Sequence, residues 1–270
     1  MILPVNLRAA LIAAGAIGRA AHRLRPVMPA PADVAELFGD ATPIRHQVIA
    51  REMSGLRYQN QLLARTARWR GTQILEPYVD AASLERLTPY HSITPAIFLT
   101  WHVGPPFGVL GAFGRLGLDV LAIRRTEEYQ APSVHIAPVD RGSHSRTKAA
   151  SGAVARLRRG GLVVIAGDGT DTTETFVTPC LGRCVRMARG PFALARICGV
   201  PLVPLLASCD RDGLVRVTVG EPLNGAGSGR ELESALAVAA GRWLEAYLLN
   251  SPSQLRRCSL RWLLDAPRQR

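Results

Sequence analysis

The sequence predicts an α/β protein with a mainly parallel central sheet flanked by helices. Its 270 residues are 47% hydrophobic and 20% charged, a composition typical of a folded protein with one large domain or two small ones. After Pro89, short aliphatic runs bounded by glycine or proline alternate with stretches of helical periodicity. Strands that alternate with helices favour a parallel sheet covered on both faces, with functional residues at the carboxyl ends of the strands.

These patterns predict the individual elements in chain order. The aliphatic runs predict strands over 96–100, 119–123, 162–166, 202–206 and 214–219. The segments around them predict helices over 107–116, 145–159, 189–198 and 230–249. Residues 43 to 85 also have helical spacing, with many arginines on faces that we expect to be exposed.

The first 32 residues are predicted to form a segment of their own. Ten uncharged residues separate Arg8 from Arg19, which is too short for a membrane span. On a helical projection the four basic side chains from Arg8 to Arg23 share one broad sector, which predicts an amphipathic or membrane-associating helix. A helix packed on the core and a cleaved signal peptide are the alternatives. The stretch 26–32 predicts a proline-rich linker, and residues 33–270 form the main domain.

Charge and cysteine content restrict the functional class. The chain has 33 Lys and Arg against 21 Asp and Glu, a net charge of +12 that favours polyanions such as nucleic acid, an anionic bilayer or an acidic carrier protein. Nucleic acid is not predicted, because the chain lacks zinc spacing, a recognition-helix pattern and a basic strand interleaved with aromatics. Five cysteines without a C-x-x-C pair favour reduced thiols in a cytosol-facing protein.

Two chemically active side chains follow predicted strands. His102 comes after the first strand, at a turn into a helix, where an imidazole can act as a general base. Asp168 follows the third strand between two glycines. Each has a structural alternative, since a histidine after a strand is often only hydrogen-bonded and Gly-Asp-Gly is a common tight turn. No phosphate-binding loop, dinucleotide fingerprint or Gly-x-Ser-x-Gly elbow occurs in the sequence.

The order of several short blocks is more informative than either residue. After His102 and Arg124 come LRRGGLVVIAGDG at 157–169, PCLG at 179–182, RGPFALAR at 189–196, GVPLVP at 199–204 and YLLNSPSQLRR at 247–257. This succession, over roughly residues 45 to 262, resembles the lauroyl and myristoyl acyltransferases of lipid A assembly, in the lysophospholipid acyltransferase superfamily.

The resemblance implies an acyltransferase-like α/β domain at the cytoplasmic face of the bacterial inner membrane, peripheral or monotopic. It would transfer a fatty acyl group from acyl carrier protein, or from acyl-CoA, to a lipid or amphiphilic acceptor. The resemblance assigns His102 as the general base and requires neither a cofactor nor a metal. By the same resemblance, Arg124 and Arg141 match arginines near an anionic acceptor, and Gly104 is assigned with them to substrate binding.

One residue departs from the family pattern. The motif His-x-x-x-x-Asp/Glu places an acid at position 107, where this chain has Phe107. Another carboxylate could support His102, with Asp168 the best candidate and Asp140 a poorer second. His102 could instead act unaided on a more nucleophilic acceptor such as an amine. The third interpretation is a catalytically inactive protein that binds lipid or a carrier protein.

Overall fold

The structure is a computed structural model, and it describes residues 7–24, 31–39, 42–70, 76–91, 95–105, 107–124, 133–139, 143–168 and 174–268. The described strands are β1 Ala96–Thr100, β2 Val120–Arg124, β3 Val134–Pro138, β4 Leu162–Ala166, β5 Thr175–Cys180, β6 Arg183–Ala188, β7 Leu202–Cys209 and β8 Val215–Val219. The described helices are α1 Leu7–Leu24, α2 Pro31–Phe38, α3 Pro43–Arg70, α4 Ala81–Glu85, α5 Gly108–Leu116, α6 Ser143–Arg158, α7 Gly190–Cys198, α8 Gly229–Asn250 and α9 Arg257–Leu264.

The central sheet has the strand order β3-β2-β4-β1-β7-β8. All neighbouring pairs are parallel except β7 with β8, and β5 and β6 form a separate antiparallel hairpin. This confirms the predicted α/β class with a mainly parallel sheet. Strands β1 and β4 are paired in register up to Thr100 opposite Ala166. Their carboxyl ends therefore lie side by side, each two residues before one of the predicted catalytic side chains.

The sheet is covered on both faces because its central strands are apolar on both sides. In β1, Ile97 and Leu99 join the core on one face with Phe192 of α7. The alternate residue Phe98 joins the other core, where its ring lies 5.2 Å from that of Phe113 in α5. Burial on both faces is what continuous aliphatic runs indicate in a parallel sheet.

An ion-pair network fixes α7 to α8. Glu233 of α8 is completely buried, and it accepts hydrogen bonds from Arg189 at 2.6 Å and Arg196 at 2.7 Å. The bond from Arg189 is the largest cause that lowers the pKa of Glu233. A buried carboxylate is tolerated only when it is paired in this way.

The N-terminal helix α1 packs on α3 at close range. Leu11 is completely buried there, and a Cβ added to Gly18 would lie 2.6 Å from the carbonyl oxygen of Ser54. The predicted basic sector is divided, because the His22 ring is 2.9 Å from the Ser54 hydroxyl while Arg23 is exposed. The outer side exposes Ile17, at 59%. Within the described ranges, no helix combines the length and apolarity needed to cross a membrane.

Every strand and helix bounded individually in the sequence after Pro89 is present in the structure, with bounds that differ by at most three residues. The strands over 96–100 and 162–166 are confirmed with the same bounds, and 202–206 extends to Cys209. The linker prediction is wrong at its end, because α2 begins at Pro31, and residues 26–30 lie outside the described residues. Proline suits the first turn of a helix, where its missing N–H is not needed. The division at residue 32 stays a prediction.

Strand β3 and the hairpin β5–β6 were not predicted. Strand β3 lies at one edge of the sheet, contains His135 and ends at Pro138, so it lacks an aliphatic run. The hairpin contains Pro179 and Arg183, which read as loop residues in the sequence. In the predicted helical region 43–85, α3 ends at Arg70 and α4 is a single short turn.

Candidate active site

His102 and Asp168 meet at the carboxyl edge of the sheet. The ring Nδ1 of His102 lies 2.9 Å from Asp168 Oδ1, and the main-chain N–H of His102 donates to Asp168 Oδ2, also at 2.9 Å. The in-register pairing of β1 with β4 produces this contact, because both residues follow their strand by two positions. One carboxylate therefore holds both the ring and the backbone of the histidine.

The two side chains differ in exposure in a way that suits a catalytic dyad. The Asp168 side chain is 3% exposed, whereas that of His102 is 53% exposed. A carboxylate can only accept, so it selects the tautomer with the proton on Nδ1 and leaves the Nε2 lone pair for a substrate. The arrangement is that of the orienting acid and general base in Ser-His-Asp enzymes.

A second histidine–carboxylate pair in the chain provides a useful comparison. His135 Nε2 lies 2.9 Å from Asp119 Oδ1, and both side chains are 57% exposed. Neither residue lines the cavity described next. The nitrogen–oxygen distance is therefore the same in both pairs. The pair of His102 and Asp168 differs from the pair of His135 and Asp119 in its buried carboxylate and in the adjoining cavity.

A cavity of about 820 Å³ opens beside His102. Apolar side chains form most of its wall, including Leu110 of α5, Ala149 of α6 and Leu194 of α7. Its volume lies within the range of pockets that enclose small-molecule ligands. Trp101 also lines it and stacks on Trp243 with ring centroids 5.8 Å apart.

The cavity is lined by more positive than negative groups. Arg124, Arg146 and Arg256 all contribute to its wall. Among the described lining residues the acidic one is Asp168, whose carboxylate is engaged by His102. A ligand with an apolar body and an anionic group matches this distribution.

Phe107, at the position where the motif of the resembled acyltransferases has an acid, lines the same cavity. The guanidinium carbon of Arg124 lies 4.6 Å from the centre of its ring. Phe107 has a φ of 74°, a left-handed conformation that is unusual for a bulky residue, at the entry to α5. The aromatic ring thus forms wall rather than supporting the imidazole.

The remaining predicted site residues lie elsewhere. Gly104 is buried and does not line the cavity, and its N–H donates to the carbonyl oxygen of Gln254 at 2.8 Å. A Cβ there would lie 1.7 Å from the carbonyl oxygen of Ala207, and its φ is 70°, so close backbone packing requires a glycine at this position. Its role in substrate binding stays a prediction. The predicted Arg141 and Asp140 lie outside the described residues.

Sequence reasoning did not select several residues of the cavity wall. Arg256, Cys258 and Trp262 come from the C-terminal segment, which returns to the sheet edge after α8. Cys258 is exposed. Cys180 and Cys209 are instead buried, and burial raises the pKa of each of these thiols to about 12. The signal available in the sequence was the block YLLNSPSQLRR, which contains Arg256 but says nothing of where the chain packs.

Comparison with known proteins does not assign this chain to a family. No protein-family model matches the chain, and a search of curated proteins found no match.

Proposed function

We propose that this protein transfers a fatty acyl group from an acyl thioester to a lipid or amphiphilic acceptor, with His102 as the general base and Asp168 as its orienting acid. The observation that carries the proposal is the 2.9 Å contact between His102 Nδ1 and a buried carboxylate at the mouth of an apolar cavity of about 820 Å³. The chain's block order, which resembles lipid A acyltransferases, is consistent with it.

The chemistry requires one base and a thioester. His102 Nε2 takes the proton from the acceptor's hydroxyl or amine group while the oxygen or nitrogen of that group attacks the thioester carbonyl carbon. Asp168 stabilises the imidazolium that forms. When the tetrahedral intermediate collapses, the carbon–sulfur bond breaks and the imidazolium returns the proton to the departing thiolate. The products are the acylated acceptor and the free thiol of the donor.

The cavity wall suits the two parts of such substrates. The apolar surface around Leu110, Ala149 and Leu194 removes an acyl chain from water, at about 0.8 kcal/mol for each buried methylene group. The arginines at the same cavity suit a phosphate, which is carried by phosphopantetheine donors and by many lipid acceptors.

We also assign the protein to a membrane surface as a peripheral protein, on the cytoplasmic side as the resemblance implies. The supporting observations are the net charge of +12 and the outer side of α1, where Ile12 and Ile17 are 40% and 59% exposed between the exposed Arg8 and Arg23. Exposed apolar side chains flanked by arginine are typical of helices that lie in a bilayer interface.

The test is acyl transfer by the purified protein. Radiolabelled lauroyl-acyl carrier protein and lauroyl-CoA are offered with a bacterial membrane lipid extract, and labelled lipid is measured. We expect wild type to transfer label, and His102→Ala to lose about 100-fold or more of the rate, as loss of a general base does. His135→Ala is the matched control, since it removes the exposed histidine of the other pair.

A catalytically inactive binding protein is the second candidate, favoured by Phe107 at the position of the motif acid. It predicts binding of lipid or carrier protein without any transfer or release of label. Absence of transfer and release in both wild type and His102→Ala, with binding retained, would support this candidate and exclude the proposed activity.

A further inference from the structure

We infer that Ser259 is a positioning residue: its hydroxyl fixes the main chain at His102 and thereby the direction of the imidazole. This inference rests on the proposed function of His102. Ser259 lies in the first turn of α9 and is 1% exposed. Its hydroxyl donates to the carbonyl oxygen of His102 at 2.5 Å, across 157 positions of sequence. The distance lies at the short end of the range for hydroxyl hydrogen bonds.

The two peptide groups of His102 are thereby held by two different segments of the chain. Asp168 accepts from the N–H of His102, and Ser259 donates to its carbonyl oxygen. The first contact comes from the turn after β4 and the second from the C-terminal segment. Fixing both peptide groups restricts the backbone rotations on either side of the Cα, and these rotations determine where the ring points.

The following residues extend the same attachment. Val103 forms an isolated antiparallel bridge with Leu255, and the N–H of Gly104 donates to the carbonyl oxygen of Gln254 at 2.8 Å. The turn after β1 is therefore attached along three successive residues to the chain between Gln254 and Ser259. A displacement of that segment would move the histidine with it.

The C-terminal segment is itself fixed to the sheet. The buried side chain of Gln254 accepts from the N–H of Cys209 at 3.3 Å and donates to the carbonyl oxygen of Cys209 at 3.3 Å. Cys209 ends β7, the strand next to β1. Ser259 thus connects the main chain at His102 to a segment that is itself hydrogen-bonded to the sheet.

No described group replaces the Ser259 hydroxyl at full strength. The Cys258 thiol lies 3.9 Å from the same carbonyl oxygen, and a thiol is a weak donor. Ser259→Ala should therefore leave the fold intact but let the turn at His102 relax. A displacement of about 1 Å at a reacting group can cost about 100-fold in rate.

The experiment compares Ser259→Ala, Ser259→Thr and the control Ser83→Ala. Ser83 is 4% exposed and its hydroxyl accepts from the N–H of Val217 at 2.8 Å, so its removal deletes an equally buried hydroxyl elsewhere. We expect kcat for lauroyl transfer to fall about 10- to 100-fold in Ser259→Ala with KM within about twofold of wild type. Ser259→Thr keeps the hydroxyl and should retain most of kcat, and Ser83→Ala should keep it too.

A second measurement does not depend on activity. Long-range proton–nitrogen correlation spectra of histidine-labelled protein report the tautomer of each ring, and loss of one signal set in His102→Ala assigns His102 among the six histidines. We expect Ser259→Ala to shift or broaden the His102 signals while Ser83→Ala leaves them unchanged. Unchanged signals in Ser259→Ala would overturn the inference, as would an equal loss of kcat in Ser83→Ala. If wild type transfers no label, the proposed function fails, and the spectra alone decide whether Ser259 positions the ring.

Discussion

Asp168→Asn keeps the shape of the side chain but removes one of the two acceptors that His102 requires. Asp168 receives two hydrogen bonds, one from a ring nitrogen and one from a main-chain N–H, and its side chain is 3% exposed. An asparagine offers one carbonyl oxygen and one amino group. The main-chain N–H can only donate, so the carbonyl oxygen must remain opposite it, and the amino group must face Nδ1.

That orientation forces the wrong tautomer on His102. With a donor facing it, Nδ1 must accept, the proton moves to Nε2, and Nε2 loses the lone pair that the proposed general base requires. The flipped amide would restore the tautomer but set two donors against each other, at a cost of about 1 to 3 kcal/mol. The asparagine also fails to stabilise the imidazolium. We therefore expect a loss of about 1,000- to 10,000-fold in kcat, or about 4 to 5.5 kcal/mol of transition-state stabilisation.

The assay is steady-state lauroyl transfer at varied donor concentration, with folding monitored by circular dichroism. Asp119→Asn is the matched control, because it makes the same change in the exposed pair with His135. We expect KM to change little in Asp168→Asn, since Asp168 is hydrogen-bonded to His102 and its side chain is only 3% exposed. A folded Asp168→Asn protein with more than about a tenth of the wild-type kcat would refute the assignment of Asp168, given the magnitude that an orienting acid contributes elsewhere.

Three further predictions concern stability, access to the cavity and membrane binding. Glu233→Gln should lower the free energy of unfolding in urea by about 2 to 3 kcal/mol, because partly exposed guanidinium groups lose a buried counter-charge. The hydrogen bond from Arg189 lowers the pKa of Glu233 in the folded protein. The stability difference between wild type and Glu233→Gln should therefore be complete above the unfolded-state pKa of about 4.3 and disappear as the pH falls through the lower folded-state pKa. A stability difference that persists in acid would contradict the ionised state of Glu233. N-ethylmaleimide at neutral pH should react first with the exposed Cys258, which lines the cavity, and block acyl transfer. The activity of Cys258→Ser should be protected from the reagent. A fully active Cys258 adduct would show that the cavity mouth is not the substrate path. Ile17→Glu should weaken co-sedimentation of the protein with phosphatidylglycerol vesicles. The control Val177→Glu, at a side chain 60% exposed on β5, should not. Equal vesicle binding by both variants would exclude α1 as the membrane contact.

The centre of the sheet could be predicted because its residues satisfy local and global preferences together. The strands at 96–100 and 162–166 are aliphatic runs that end at turn-forming residues, and the structure gives them the same bounds. Their adjacency also brings together His102 and Asp168, a pairing that the sequence left as one of several alternatives. The 2.9 Å contact depends on the register of Thr100 opposite Ala166, and that register is a property of the whole sheet.

The rest of the site depends on contacts between distant parts of the chain. The return of the C-terminal segment to His102 joins residues 157 positions apart, and no local pattern at Ser259 indicates it. The environment of Gly104 is a second example. A glycine in a turn is compatible with ligand contact or with close backbone packing, and only the position of Ala207, distant in sequence, reveals the close packing.

Chemical rescue tests the central claim most directly, because it asks whether an imidazole at this position removes the acceptor's proton. His102→Gly should transfer lauroyl groups at least about 100-fold more slowly than wild type, as expected for loss of a general base. Added imidazole should restore part of that rate, in proportion to its unprotonated concentration and with no effect on His135→Gly. If His102→Gly retains the wild-type rate, or if imidazole restores nothing while the variant remains folded and binds the donor, His102 is not the base.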